Sequence, residues 1–237
     1  MRRLPALPGR PVSSYIARMS THDVARAVSD PFYAFQVRSV PDLAGVLYED
    51  DDVPEGYASP QTQEQAYGIL KAFFPGAFVL HAMRLDPIAW DPTYLDAIFR
   101  PEFTDLVAPY FYPVGSSVLG TYTEDSAWEG QLETLLRAIA QRMPAEQGVL
   151  PVLQGFEQIG YPVGRSFPTR QMDVYRRVWP RNENAAIFAW RIGVPQPLID
   201  LADLPLLQRG VCDLLIRLAT RPARCPGTGL INRTSRP

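Results

Sequence analysis

Short apolar runs alternate with longer amphipathic patterns along most of this chain, and this alternation constrains the fold more than any other feature. The runs that predict strands are Val12–Met19, Phe32–Val37, Gly45–Asp50, Phe78–Leu85, Asp105–Val114, Val149–Phe156 and Ala185–Ile192. Several are apolar almost throughout, which is typical of strands covered on both faces. A strand–helix–strand order of this kind predicts parallel strands joined by right-handed crossovers.

Helix starts are marked by capping residues and by proline at the first helical positions. Signals of this kind occur at 59–60, 91–92, 167–169 and 203–205, and residues 126–129 form a capping box. Apolar residues at helical spacing follow the capping box and the last two of these signals. The sequence therefore predicts helices that start at these points.

Two architectures fit this alternation: an open doubly wound sheet and a closed (β/α)₈ barrel. Neither a G-x-G-x-x-G motif nor a P-loop follows any strand, which favours the barrel. The length of 237 residues also suits a barrel. Seven strands are one fewer than this barrel requires, so we predict a TIM-type (β/α) barrel that is incomplete or lacks its first β/α unit. The predicted organisation is an N-terminal extension over 1–11, the barrel over 12–221 and a disordered tail over 222–237.

Composition excludes several classes of function. A net charge of −2 and a pI of about 5.7 leave no basic surplus for nucleic acid or anionic lipid. No apolar run reaches the roughly 18 residues of a membrane span, and no signal peptide is recognisable, so we expect a cytoplasmic protein. With 2 histidines a His-rich metal site is excluded, and we expect neither a cofactor nor a resident metal. Cys212 lies in an apolar helix pattern and is expected to be a buried free thiol.

Polar and aromatic residues collect near the predicted carboxyl ends of the strands. If the last strand is counted as the eighth, the acidic run 49–52 follows the fourth and Glu157 follows the seventh. Arg84 lies in the fifth strand, the segment 110–113 ends the sixth, and Trp190 lies near the end of the eighth. In a parallel α/β barrel this edge carries the active site.

These segments resemble the barrel glycoside hydrolases, in particular the large retaining clan. Leu-Tyr-Glu-Asp-Asp-Asp-Val-Pro at 47–54 is similar to the clan's aspartate-glutamate-proline stretch, and Tyr-Phe-Tyr-Pro-Val at 110–114 is similar to its tyrosine-proline strand end. Residues 151–156, 165–169 and 186–190 are similar to its last two β/α units. The resemblance covers roughly residues 45 to 193. This sequence lacks the asparagine-glutamate pair that the clan has after strand four, and it lacks the arginine of the clan's first strand.

The resemblance implies a site for carbohydrate, as ligand or substrate, with an acid/base carboxylate after strand four and a nucleophile after strand seven. Glycoside hydrolysis needs two carboxylates, one of which protonates the leaving oxygen. Glu157 would be the nucleophile or base, and Glu49 or Asp51 the general acid. The residues expected to line the sugar site are Arg84, Tyr110, Tyr112, Gln154 and Trp190.

Two other functions stay open from the sequence. A degenerate, non-catalytic barrel could serve as a binding or scaffold module, and a metal-dependent lyase could hold Mg²⁺ or Mn²⁺ on the acidic run. Each singled-out residue also has a structural interpretation: Glu157 could accept a hydrogen bond in a loop, and Gln154 could bond a neighbouring strand. The oligomeric state stays open as well.

Overall fold

The computed structural model of the protein describes part of the chain, in two compact units. The described residues are 15–20, 26, 30, 43–49, 59–85, 95–96, 99–117, 120–124, 127–188, 198–199 and 201–218. One unit comprises 1–110 with 138–150, and the other comprises 111–137 with 151–237; we call them unit 1 and unit 2. The predicted strand at 32–37, the helix start at 91–92, residues 50–52, Trp190 and the tail 222–237 lie outside the described residues.

Unit 1 contains a parallel sheet. Its strands, in the order in which they pair, are β1 (Tyr15–Ser20), β2 (Leu43–Glu49), β3 (Phe78–Arg84), β4 (Leu106–Tyr110) and β7 (Gly148–Val149). The predicted α/β class with parallel strands is therefore confirmed. Among the described strands β1 pairs with β2 alone, so the sheet is not closed and the barrel is not confirmed.

The burial of β3 and β4 explains why their sequences are apolar almost throughout. Every residue from Val79 to Met83 is buried, as are Val107 to Tyr110 in β4, so both faces of these strands are covered. Helix α1 (Pro60–Phe73) precedes β3 and begins where the sequence predicts. The Ser59 hydroxyl caps it by accepting a hydrogen bond from the backbone N–H of Thr62 at 3.2 Å.

Polar side chains tie the amino ends of β3 and β4 together. The Thr104 hydroxyl accepts a hydrogen bond from the His81 N–H at 3.0 Å and donates to the Val79 carbonyl at 3.0 Å. The Asp105 carboxylate, next along the chain, accepts from the Val79 N–H at 2.9 Å. These bonds fix the register at which β4 starts beside β3.

Unit 2 combines short strand pairs with helices. Its strands are β5 (Gly115–Ser117), β6 (Gly120–Tyr122), β8 (Val152–Gln154), β9 (Glu157–Gln158), β10 (Ala186–Phe188) and β11 (Leu198–Ile199). Strands β8 and β10 pair in parallel, whereas β5–β6 and β9–β11 pair antiparallel. The helices are α2 (Trp128–Ala140, whose last turn belongs to unit 1), α3 (Phe167–Val178) and α4 (Pro205–Leu218).

Two predicted strands are wrong in extent. The run Asp105–Val114 forms a strand only as far as Tyr110. The run Val149–Phe156 is divided between β7 and β8, because Pro151 has no N–H with which to continue a ladder. The antiparallel pairs β5–β6 and β9–β11 were not predicted, since two- and three-residue strands leave no periodicity to detect.

The core of unit 2 lies against α2 and α3. The rings of Trp128 and Phe167, both fully buried, meet edge to face with centroids 5.6 Å apart. Burial also raises the pKa of the Tyr175 phenol far above its usual range. On α4, Cys212 is buried and disulfide-bonded, so the prediction of a free thiol is wrong: an apolar helical pattern predicts burial but not the partner of a sulfur. None of the described helices is long and apolar enough to cross a membrane.

Candidate functional site

The carboxyl ends of β3 and β4 carry two of the predicted site residues side by side. Arg84 is the last residue of β3 and Tyr110 the last of β4, and the two are register partners. Tyr110 is buried and Arg84 half-buried. The parallel register therefore brings these two residues side by side.

The predicted general acids fall at or beyond the limit of the described structure. Glu49 ends β2, where its register partner is Ala82, two residues before Arg84. Its backbone belongs to the same strand-end edge of unit 1, and its side chain lies outside the description. Asp51 and Trp190 both lie outside the described residues.

Tyr112 lies beyond the end of β4, in unit 2. Its half-buried ring meets that of Phe156 edge to face, with centroids 5.0 Å apart and planes at 74°. This geometry is favourable for aromatic pairs. The segments that follow β4 and β8 thus present two aromatic rings in contact.

Gln154 uses its side-chain amide to hold these two segments. Its Oε1 accepts from the Val114 N–H at 3.2 Å, and its Nε2 donates to the carbonyls of Val114 at 3.0 Å and Phe156 at 3.1 Å. The side chain is fully buried. Its hydrogen bonds are made to backbone, so Gln154 shapes the loops rather than presenting a polar group to solvent.

Glu157 lies at the start of β9, just after β8, and its carboxylate is held by one oxygen. Oε1 accepts a hydrogen bond from the Val163 N–H at 3.0 Å. Among the described residues, no hydrogen-bond donor reaches Oε2, and the residue is half-buried. A carboxylate that is oriented through one oxygen and open at the other can accept a proton or a ligand hydroxyl.

The loop that supplies the Val163 N–H is tightly turned. Tyr161 donates its backbone N–H to the Gln158 carbonyl at 2.8 Å, which closes a turn around Ile159 and Gly160. Gly160 has a φ of 88°, a conformation that favours glycine. The side chain of Ile159 at the tip of this turn is 54% exposed.

Sequence reasoning missed a second carboxylate beside this loop. Glu124 accepts hydrogen bonds from the Gly164 N–H and from the Ser166 hydroxyl, the latter at 3.3 Å. It also lies 3.6 Å from a guanidinium nitrogen of Arg170. Glu124 precedes α2 by a few residues, where an acidic residue reads as helix-start chemistry, and its contacts about 40 residues downstream leave no sequence signal.

The remaining polar features of the described residues are structural or shallow. No group of three or more His, Cys, Asp or Glu side chains within the described ranges could hold a metal ion. A shallow hollow of about 510 Å³ is lined by Arg165, Ser166, Thr169 and Asp213, none of which the sequence singled out. Its charges are paired, because Arg165 donates two hydrogen bonds to Asp213 at 2.6 and 2.9 Å. The acidic residues 50–52, on which the metal-dependent alternative depends, lie outside the described structure.

Comparisons with known proteins find a weak structural similarity to two solved structures. No protein-family model matches the chain, and no curated protein does. Beta-glucuronidase 2 of Bacteroides uniformis, covalently bound to cyclophellitol-6-carboxylate aziridine, is 11% identical, with a TM-score of 0.40 over 71% of this chain and 21% of that one. A Bacteroides uniformis beta-glucuronidase is 11% identical, with a TM-score of 0.35 over 71% and 20%. The chain spans about a fifth of the length of either, and likeness at this level establishes neither fold nor activity.

Proposed function

We propose that this protein acts on, or at least binds, carbohydrate, with Glu157 as the central carboxylate of the site. One observation carries the proposal: the Glu157 carboxylate follows a parallel strand and is oriented by the Val163 N–H, and its second oxygen accepts no hydrogen bond from the described residues. Sugar hydroxyls, which donate hydrogen bonds, are suitable partners for this second oxygen.

In the hydrolytic form of the proposal Glu157 is the nucleophile or base. Glycoside hydrolysis then needs a general acid as well. The candidates from the sequence are Glu49, which ends β2, and Asp51. This assignment comes from the order of the strand ends and from the resemblance to the barrel glycoside hydrolases.

The same proposal gives the aromatic and polar neighbours separate roles. Arg84, Tyr110 and Tyr112 contact the sugar, because aromatic faces stack on sugar rings and guanidinium groups donate to hydroxyls. Trp190 forms a platform for the ring. Gln154 has the supporting role of holding the segments that carry Tyr112 and Glu157, since its amide bonds the backbone on both sides.

A non-catalytic binding module is the second candidate. One structural observation favours it: the parallel sheet of unit 1 is not closed among the described strands, unlike the sheet of a complete barrel. The absence of the clan's asparagine-glutamate pair from the sequence favours it as well. Such a module would keep the sugar-binding residues and lack turnover.

The test compares wild type with Glu157→Gln on a panel of aryl glycosides. The amide keeps an oxygen to accept from Val163, so the fold is retained and only the charge is lost. We expect wild type to hydrolyse a member of the panel and Glu157→Gln to be slower by about a hundredfold or more. Glu183→Gln, which changes an exposed glutamate of the same unit, is the matched control and should keep full activity.

The outcomes separate the candidates. Equal rates for Glu157→Gln and wild type would remove the nucleophile assignment. Quenching of tryptophan fluorescence by sugars without turnover would favour the binding module. A wild-type protein that shows neither turnover nor quenching across the panel would overturn the carbohydrate proposal itself.

A further inference from the structure

We infer that Glu124 is a positioning residue for the carboxylate of Glu157, acting through the loop 159–166. Its meaning for chemistry rests on the proposed function, whereas the positioning itself is a statement about the loop. Two consecutive backbone amides of this loop bind two different carboxylates. The Val163 N–H donates to Glu157, and the Gly164 N–H donates to Glu124.

Glu124 is itself fixed at both its main chain and its side chain. Its carbonyl accepts a hydrogen bond from the indole N–H of Trp128 at 3.2 Å, and that indole is fully buried. Its carboxylate faces the guanidinium of Arg170, which also lies over the Trp128 ring at 5.4 Å from the centroid. A carboxylate held in this way is a rigid anchor for whatever it binds.

The Glu124 carboxylate lies beside the start of α3. The helix begins at Phe167, and the Ser166 hydroxyl makes no capping bond to its backbone but bonds Glu124 instead. A negative charge at a helix start is favourable because unpaired N–H groups and the helix dipole meet there. Glu124 therefore holds the Gly164 main chain and the Ser166 side chain beside the start of the helix.

The loop main chain approaches this carboxylate closely. A Cβ atom added to Gly164 would lie 3.1 Å from Oε2 of Glu124, so a larger residue would require the carboxylate or the loop to shift by a few tenths of an ångström. Because only the two backbone dihedral angles of Val163 separate its N–H from that of Gly164, holding one N–H restricts the position of the other. The loop thus transmits the position of Glu124 to the Oε1 atom of Glu157.

The test uses the full chain and measures the loop directly. Amide proton shifts and hydrogen exchange at Val163 and Gly164 are recorded by NMR for wild type, Glu124→Ala, Glu124→Gln and Glu157→Gln. Glu129→Gln is the matched control, because Glu129 accepts a hydrogen bond from Arg170 and, among the described residues, makes no hydrogen bond to the loop amides. The Glu157→Gln spectrum gives the chemical shift of the Val163 amide proton when its acceptor is no longer charged.

In Glu124→Ala we expect exchange to accelerate about tenfold at both Val163 and Gly164. The Val163 amide proton should move toward its position in Glu157→Gln, and Glu124→Gln should restore it in part. Glu129→Gln should leave both amides as in wild type. Loss of protection at Gly164 with an unchanged Val163 would overturn the inference, since Glu124 would then hold Gly164 without positioning Glu157.

Activity supplies a second, separate outcome. If wild type hydrolyses a glycoside, Glu124→Ala should lower kcat by about a hundredfold with a smaller change in KM, since small displacements of a catalytic group have effects of that size. If Glu157→Gln lowers kcat, an unchanged kcat in Glu124→Ala would also overturn the inference; if Glu157→Gln leaves kcat unchanged, it is the proposed function that fails. If wild type has no activity, the proposed function fails, and the amide measurements still decide whether Glu124 positions Glu157.

Discussion

Asp105 in unit 1 and Glu157 in unit 2 are both carboxylates that bind a backbone N–H, and they differ in what else they bind. Asp105 accepts from the Val79 N–H at 2.9 Å, the Lys71 ammonium at 3.0 Å and the Tyr67 hydroxyl at 3.1 Å. Glu157 accepts from the Val163 N–H alone among the described residues. Asp105 precedes its strand, whereas Glu157 follows one. In parallel α/β folds the carboxyl ends of the strands carry the chemistry, and the amino ends contribute to stability. A carboxylate with several partners in the protein stabilises the fold, while one with an open oxygen is a candidate for binding and catalysis.

The largest effect on the free energy of unfolding should come from removing the carboxylate of Asp105. Asp105→Ala leaves the Val79 N–H, Lys71 and Tyr67 without a shared acceptor, and we expect it to lower the free energy of unfolding by about 3 kcal/mol. Asp105→Asn keeps an oxygen for Val79 and should lose less. Urea unfolding at constant m-value measures both, and an Asp105→Ala protein as stable as wild type would contradict the structural role.

Next in size is the buried amide that supports the Glu157 segment. Gln154→Leu leaves the N–H and C=O of Val114 without the partners they have now, which should cost about 2 kcal/mol. Gln131→Leu is the matched control, because the buried Oε1 of Gln131 has no hydrogen-bond partner in the described structure. If both substitutions have equal effects in urea unfolding, Gln154 does not hold these loops.

How far the sequence could predict this contrast depends on the range of the interactions. The start of α1 was predictable from its capping residue and proline, and that of α3 from the proline in its first turn, since these signals lie within a turn of the helix they start. Glu157 was predictable because it follows an apolar run. The hydrogen bond from the Val163 N–H to its Oε1 was not predictable. The turn around Gly160, which places this N–H beside the carboxylate, has no periodic pattern of apolar residues.

The strand limits failed for a related reason. A run such as 105–114 stays apolar past the last paired residue, and only tertiary contacts end the strand. The N–H and C=O of Val114 bond the side chain of Gln154, 40 residues away, instead of a neighbouring strand. Glu124 likewise acts across a separation of 40 residues to Gly164. Side-chain hydrogen bonds over such distances have no periodic signature.

A smaller effect on stability should distinguish the oxygen of Glu157 from its charge. Glu157→Ala leaves the buried Val163 without an acceptor for its N–H, at a cost of about 1 kcal/mol in unfolding free energy. Glu157→Gln keeps an acceptor and should lie close to wild type in the same urea experiment. A large loss in Glu157→Gln would instead assign the carboxylate a structural role like that of Asp105.

The smallest effect concerns alkaline pH. Burial, then the charge of Asp105 and then its hydrogen bond raise the pKa of Tyr67 above its ordinary value of 10.0. The unfolded chain therefore loses this phenolic proton first, and the contribution of Tyr67 to stability is lost as pH rises from 10.0 through the folded pKa. The difference in unfolding free energy between wild type and Tyr67→Phe should shrink over this interval, and shrink less in an Asp105→Asn background. A difference independent of pH would contradict the coupling.

The contrast between the two carboxylates is tested most directly by NMR of the labelled full chain during titration with S-linked glycosides, which resist hydrolysis. Glu157 and Asp105 each have a reporter, the backbone amide of Val163 and that of Val79. We predict that a sugar of the panel shifts the Val163 amide resonance in a saturable way and leaves Val79 unmoved. A Val163 resonance that no sugar shifts, or one that shifts no more than Val79, would contradict the assignment of Glu157 to a carbohydrate site.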